Sequence, residues 1–259
     1  MPVAISSLIL GVPLAHIHGG ELTLGSYDDS IRHAITKMAN LHFVSTRSYL
    51  KRIIQMGEDP NKVFLVGGLG QDNLKRLKLL ERQKLEKEIS FKFGKKSLLI
   101  TLHAETISDL TVENQIDILL DALNNFKEVN LLFTMPNADQ GNKVISDKIK
   151  NFVQRNKNSL AVTSMGQRNY LSAMKYVDGV VGNSSSGIIE APSLKKGTVN
   201  VGKRQKGRVQ AKRIINVSFD RKNITNAIEK LFSKSFQDSL ISLVNPYGDG
   251  GASRKILKT

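Results

Sequence analysis

The chain has 259 residues, 40% hydrophobic and 24% charged, and no cysteine, which excludes disulfides, thiolate metal sites and cysteine nucleophiles. Its 38 Lys and Arg against 23 Asp and Glu give a net charge of +15, a balance that raises nucleic-acid binding as a question. Much of the excess lies in residues 75–96, where Leu77, Leu80 and Leu85 keep helical spacing, and the chain has no Trp; a solvated helix face accounts for it, and no nucleic-acid partner is expected.

Short apolar, β-branched runs alternate with helical patterns, which predicts βα units and parallel sheet. The opening residues read as the end of a helix running through Leu10 into a buried strand, Pro13–Ile17. A polar loop His18–Asp29, helix Ser30–Asn40, strand Leu41–Ser45, helix Ser48–Met56 and strand Lys62–Gly67 follow. This first block, 1–75, holds about three strands, too few to cover both faces of a sheet, and reads as an incomplete Rossmann-like domain. A basic helical connector, roughly Asp72–Glu88, fills most of a segment assigned to 76–94.

The second block, 95–225, carries strands Ser97–His103, Val129–Thr134, Leu160–Thr163, Gly179–Val181, Gly197–Val201 and Arg213–Val217. Helices Thr111–Phe126 and Lys143–Asn156 lie between them, and the whole reads as a complete Rossmann-type domain. Residues 226–259 are expected to be helices packing back towards the first block. No apolar run reaches membrane-spanning length and the first residues lack a basic start, so no membrane partner is expected and the cytoplasm is the default location.

Within the second block, Tyr176–Val181 runs into the turn Gly182-Asn183-Ser184-Ser185-Ser186-Gly187 and then the helix-compatible Ile188-Ile189-Glu190-Ala191. A strand feeding a helix through a loop of N–H and hydroxyl donors suits an anion, and glycines at 182 and 187 allow a close backbone approach. Glu190, one turn in, suits a sugar diol better than a phosphate. Lys203, Arg204, Lys206 and Arg208 follow, within a run from Ala191 to Val217 that has no Asp or Glu. A plain turn remains open at this point; the unmixed basic string favours a pocket for a sugar nucleotide diphosphate.

PLAHIHGGELTLGSYDDSIRHAITKMANLHFVST (13–46), TLHAET (101–106), PNAD (136–139), GNSSSGIIEAPS (182–193), VGKRQKGR (201–208) and NPYGDGGAS (245–253) resemble, in order, the hydrolysing UDP-N-acetylglucosamine 2-epimerase family. These are bacterial enzymes that make N-acetylmannosamine-type sugars for sialic and legionaminic acid synthesis. The resemblance implies an α/β fold, a GT-B-like pair of Rossmann-type domains with parallel sheets and the sugar nucleotide in the cleft. The family pattern begins upstream, with a GTR-type nucleotide loop and a GDR segment that supplies a catalytic carboxylate. The chain is therefore expected to lack its amino-terminal part, leaving that domain incomplete.

The implied reaction takes UDP-GlcNAc or UDP-N,N'-diacetylbacillosamine to UDP and the free 2-epimeric sugar, by C2 deprotonation, loss of UDP and rehydration. Its alternatives are an inactive UDP-binding remnant and a GT-B glycosyltransferase; the HVEAGLRT signature of the non-hydrolysing relative is absent. Catalytic roles fall on Glu21, Asp28, Asp29 and His18, the last standing where a sister branch (HIEGGE) has its Glu. Whether His18 or Glu21 is the base stays open. Substrate contacts are expected from Arg32, His103, Asn137, Ser184, Ser185, Ser186, Gly187, Glu190 and Arg204. No cofactor is implied, the five scattered His favour no metal, and a homodimer is implied by analogy.

Overall fold

The computed structural model describes residues 1–24, 28–105, 108–136 and 141–259. The chain divides into two compact units, one of residues 1–76, 206–210 and 245–259, the other of 77–205 and 211–244.

The first unit runs α1 (Pro2–Ile9), β1 (Ala15–Ile17), α2 (Asp28–Met38), β2 (Leu41–Val44), α3 (Arg47–Gln55), β3 (Val63–Leu65) and α4 (Leu69–Arg76), closed by a C-terminal helix, Ala252–Lys258. Its sheet has three parallel strands in the order β1-β2-β3, with Ala15 opposite Leu41 and His42 opposite Val63. Buried Phe43, Val66 and Ala252 pack with Phe64 and Ile256, and the Phe43 and Phe64 rings stack at 5.6 Å.

Two expectations are corrected here. β1 is not a buried strand: it is an edge strand, and Ala15 and Ile17 are exposed. The polar loop ends earlier than expected, because α2 already begins at Asp28 and both Asp28 and Asp29 lie in its first turn, where acidic groups oppose the positive helix end.

The C-terminal helix is held by α4. The Asp72 carboxylate accepts the N–H groups of Gly251 (2.5 Å), Ala252 (2.9 Å) and Ser253 (2.7 Å) and the Ser253 hydroxyl, so it caps a helix to which it does not belong. Burial would raise its pKa, but these hydrogen bonds outweigh burial and hold the carboxyl at about 2. Its contribution to stability is present above the ordinary carboxylate range and is lost as pH falls through about 2. Asp72→Ala is expected to cost about 1–2 kcal/mol and to accelerate amide exchange in 251–258 at neutral pH; unchanged protection there would contradict the capping role.

The second unit holds α5 (Arg82–Ile89), β4 (Ser97–Thr101), α6 (Val112–Leu123), β5 (Asn130–Thr134), α7 (Asn142–Arg155), β6 (Ser159–Val162), α8 (Gly166–Tyr176), β7 (Gly179–Gly182), α9 (Ser185–Ile189), β8 (Gly197–Val201), β9 (Ile214–Val217), α10 (Arg221–Phe232) and α11 (Lys234–Ser239). Its six strands are all parallel, in the order β6-β5-β4-β7-β8-β9. Alternation along the strands builds two cores. Leu98, Ile100, Phe133, Val181 and Val199 meet α6, α7 and α10 on one face, while Leu99, Leu132 and Val180 meet Leu85, Phe91, Phe93 and Met174 on the other.

The stretch expected as one basic helix is two, α4 and α5. The break has a tertiary cause. Arg168 donates to the Lys78 carbonyl (3.1 Å), Ser172 Oγ accepts the Leu80 N–H (2.9 Å) and Tyr176 donates to the Leu80 carbonyl (2.9 Å). Side chains of α8 thus take the hydrogen bonds that a continuous helix would make internally, and Leu80 is buried.

Candidate active site

In the second unit, chain order reverses between β4 and β7, so the loops leaving their carboxyl ends diverge and open a crevice where α/β sheets bind ligands. Asn183, fully buried just after β7, ties the surrounding loops together. Its side chain accepts the His103 N–H (2.8 Å) and donates to the His103 carbonyl (2.9 Å), and its N–H donates to the Thr101 carbonyl (3.1 Å). Its own carbonyl accepts from Arg204 Nη1 (3.2 Å) and Gln205 Nε2 (2.7 Å).

Glu105, also buried, accepts the Arg204 N–H at 2.7 Å, and Gln115 pins the Glu105 backbone through two hydrogen bonds. Burial raises the Glu105 pKa against the N–H groups of Arg204 and Lys203 and the Asn183 amide, which lower it. His103 and Arg204 are thereby brought to the same rim. Asn137, like Thr106 of TLHAET, lies outside the described residues.

The serine turn differs in detail from the expected cradle. Ser184 caps α9: its hydroxyl accepts the Ser186 N–H (3.4 Å) and its carbonyl the Gly187 N–H (3.2 Å), so these donors are engaged within the turn. The two glycines answer to internal packing. A Cβ on Gly182, at φ +128°, would lie 2.0 Å from the Thr101 carbonyl oxygen, and one on Gly187 would lie 2.8 Å from Thr198 Cγ2. Ser185 starts α9 and Glu190 ends it. The buried Tyr170 hydroxyl from α8 faces Ser186, Thr101, Ser184 and Glu190 without a well-aligned hydrogen bond, and burial raises its pKa.

In the first unit the HGGEL loop is clamped onto α3. A Cβ on Gly20, at φ +75°, would lie 2.6 Å from the Tyr49 carbonyl oxygen, so a side chain there would force the loop off α3. Arg52 donates to the Gly20 carbonyl, and the Leu24 N–H donates to the Lys206 carbonyl at 3.0 Å. Glu21 is buried with its carboxylate 3.4 Å from Arg208 Nε and Nη2 and 3.4 Å from the Tyr49 hydroxyl. The Arg208 side chain is 13% exposed, and its Nη1 is buried without a hydrogen-bond partner.

His18, at φ +66°, is held in a left-handed backbone conformation that costs energy in a residue with a side chain. Burial lowers its pKa, favouring the neutral ring; Glu21 pulls the other way, Arg208 and Arg32 with burial. Asp29 and Arg32 brace the loop. Asp29 Oδ1 accepts the Thr23 N–H at 2.6 Å and its Oδ2 lies 3.5 Å from His33 Nε2. Arg32 Nη1 donates to the Glu21 carbonyl and to Thr23 Oγ1, both at 3.1 Å, and pairs with Asp29 at 3.4 Å. Asp28 stands exposed beside them.

Sequence reasoning assigns no role to Asn183, Glu105, Tyr49, Tyr170 and Tyr247, and counts Arg208 among the diphosphate cations, whereas it pairs with Glu21. Four lay inside quoted motifs, but their partners stand far along the chain. Among the described residues, no group of three or more His, Asp or Glu is placed to hold a metal ion, and no helix is long and apolar enough to cross a membrane.

The reversed strand order and the loops at the switch point define a Rossmann-type α/β protein. Residues 1–259 match the family described as UDP-N-acetylglucosamine 2-epimerase, and the chain belongs to that family. It is 43% identical over 95% of its length to the polysialic acid biosynthesis protein P7 of Escherichia coli, and 40% identical over its full length to the GDP/UDP-N,N'-diacetylbacillosamine 2-epimerase (hydrolyzing) of Campylobacter jejuni. The chain spans 62% and 67% of those two proteins, about two thirds of their length. A crystal structure of UDP-GlcNAc 2-epimerase from Neisseria meningitidis bound to UDP-GlcNAc superposes with a TM-score of 0.84 at 19% identity, covering 98% of this chain and 71% of that one, which shows a common fold.

Proposed function

We propose that the chain acts in hydrolysing 2-epimerisation of a UDP-sugar, with UDP-N,N'-diacetylbacillosamine and UDP-GlcNAc as the candidate substrates. The observation that carries the reading is the buried Asn183 hub at the switch point, in a chain that matches the epimerase family throughout. On this reading the β4 and β7 loops hold UDP, with Ser184, Ser185, Ser186 and Gly187 at the diphosphate, Glu190 at the ribose hydroxyls, and Arg204 and His103 at the phosphates. Tyr170 joins them as a hydroxyl donor beside Ser186 and Glu190.

In the proposed reaction a base takes the C2 proton while the C1–O bond breaks and its electron pair leaves with UDP. Water then adds across the resulting glycal, its proton to the opposite face of C2 and its hydroxyl to C1. Glu21 and His18 are the proposed acid–base pair, and Asp28 is a further proposed catalytic carboxylate. Asp29 and Arg32 hold the loop that carries them.

Glu190→Ala should weaken UDP binding at least tenfold by calorimetry, and unchanged affinity would remove the ribose role. Product analysis with both sugar nucleotides chooses the substrate. UDP bound but never released would favour a chain that binds the nucleotide and turns nothing over. Transfer of the sugar to an acceptor would instead identify a glycosyltransferase.

A further inference from the structure

Around Glu21 the protons do not match the contacts. Tyr49 and Tyr247 are both fully buried, with hydroxyl oxygens 3.0 Å apart. The Val209 N–H donates to Tyr49 Oη at 3.0 Å, the Val209 carbonyl lies 3.0 Å from Tyr247 Oη, and Glu21 Oε1 lies 3.4 Å from Tyr49 Oη. Two phenolic protons therefore face three contacts that each require one: Tyr49 with Tyr247, Tyr247 with Val209, and Tyr49 with Glu21. While Glu21 is ionised, one contact is left without a proton.

We propose that Tyr49 and Tyr247 are positioning residues that form a two-setting hydrogen-bond relay, offering the Glu21 carboxylate a donor in one setting and withdrawing it in the other. In the first setting Tyr247 donates to Tyr49 and Tyr49 donates to Glu21, leaving the Val209 carbonyl unserved. In the second, Tyr49 donates to Tyr247 and Tyr247 to the Val209 carbonyl. No bond breaks between the settings; two O–H groups rotate. An ionised Glu21 selects the first, because hydrogen bonds to a charged acceptor are the stronger ones. A protonated Glu21 selects the second, its own O–H donating to Tyr49 Oη.

The surroundings fix the distances over which the relay works. Gly20 packs against the Tyr49 backbone, and a Cβ on Gly207 would lie 2.8 Å from Leu22 Cβ, so the Glu21 loop and the 206–210 segment are in close contact. The backbone N–H of Gly68 holds the Tyr247 carbonyl at 2.8 Å. Among the described residues, Arg208 at 3.4 Å, His18 on the same loop and Arg32 at the Glu21 carbonyl are the other charged or titratable groups around the carboxylate. They are common to every variant below.

The relay's service in turnover rests on Glu21 being an acid–base group; its existence does not, and the test is made on the protein without substrate. With Glu Cδ and Tyr Cζ labelled, carbon NMR should show both Tyr49 and Tyr247 inflecting at the pH where Glu21 titrates, although Tyr247 does not touch Glu21. Tyr49→Phe removes the donor from the charged form and should raise the Glu21 midpoint by about 0.5–1 pH unit. Tyr247→Phe removes the acceptor used when Glu21 is protonated and should lower the midpoint by a smaller amount. A Tyr247 signal blind to the Glu21 titration, or shifts of the same sign in the two variants, overturns the relay. If a variant fails to melt cooperatively, the wild-type inflections alone decide.

Discussion

Asn183→Leu is expected to lower the stability of the second unit by about 2–5 kcal/mol and to abolish UDP binding. Leucine fills a similar volume but offers nothing to the His103 N–H and carbonyl, which the Asn183 amide now satisfies at 2.8 and 2.9 Å in a fully buried position. Two orphaned backbone groups each cost about 1–3 kcal/mol. Relief comes only if the β4 loop moves away from the β7 loop, and the rim formed by His103, Glu105 and Arg204 moves with it. Denaturant unfolding reads the first effect and calorimetry with UDP the second. A variant that is destabilised yet binds UDP with native affinity would show that the hub supports the fold without shaping the ligand site.

Glu21→Gln is expected to reduce turnover by about 10²–10⁴-fold and to stop solvent deuterium appearing at C2. Glutamine keeps the volume and can still face Tyr49, but it can neither take nor hold a proton. It also removes the charge opposite Arg208, whose Nη1 is already buried without a partner, so the variant should lose stability as well. Thermal melting measured beside the exchange separates the two losses. His18→Gln gives the companion experiment: full C2 exchange in Glu21→Gln combined with none in His18→Gln would move the base to His18, whose pKa burial lowers.

The parts legible in the sequence were those written in local pattern. Leu98-Leu99-Ile100 and Leu131-Leu132-Phe133 announce strands buried on both faces, and the Gly182–Gly187 turn announces the end of β7. Features set by distant partners were not. Asn183 and His103 are eighty positions apart and meet only because β4 and β7 are neighbours in the sheet. Leu80 reads as one more helical leucine until α8 side chains take its backbone hydrogen bonds. Asp72 reads as a charge on a basic helix, and becomes the cap of a helix at the far end of the chain. Glycines 182 and 187 read in the sequence as room for a ligand; their neighbours Thr101 and Thr198 also require them.

The most direct test of the account is incubation of the 259-residue chain with UDP-N,N'-diacetylbacillosamine and, separately, UDP-GlcNAc in deuterium oxide, followed by proton NMR. The expected result is UDP together with a free sugar of inverted configuration at C2 that carries deuterium there. UDP with a free sugar of unchanged C2 configuration and no deuterium, or a nucleotide-linked epimer, would contradict it.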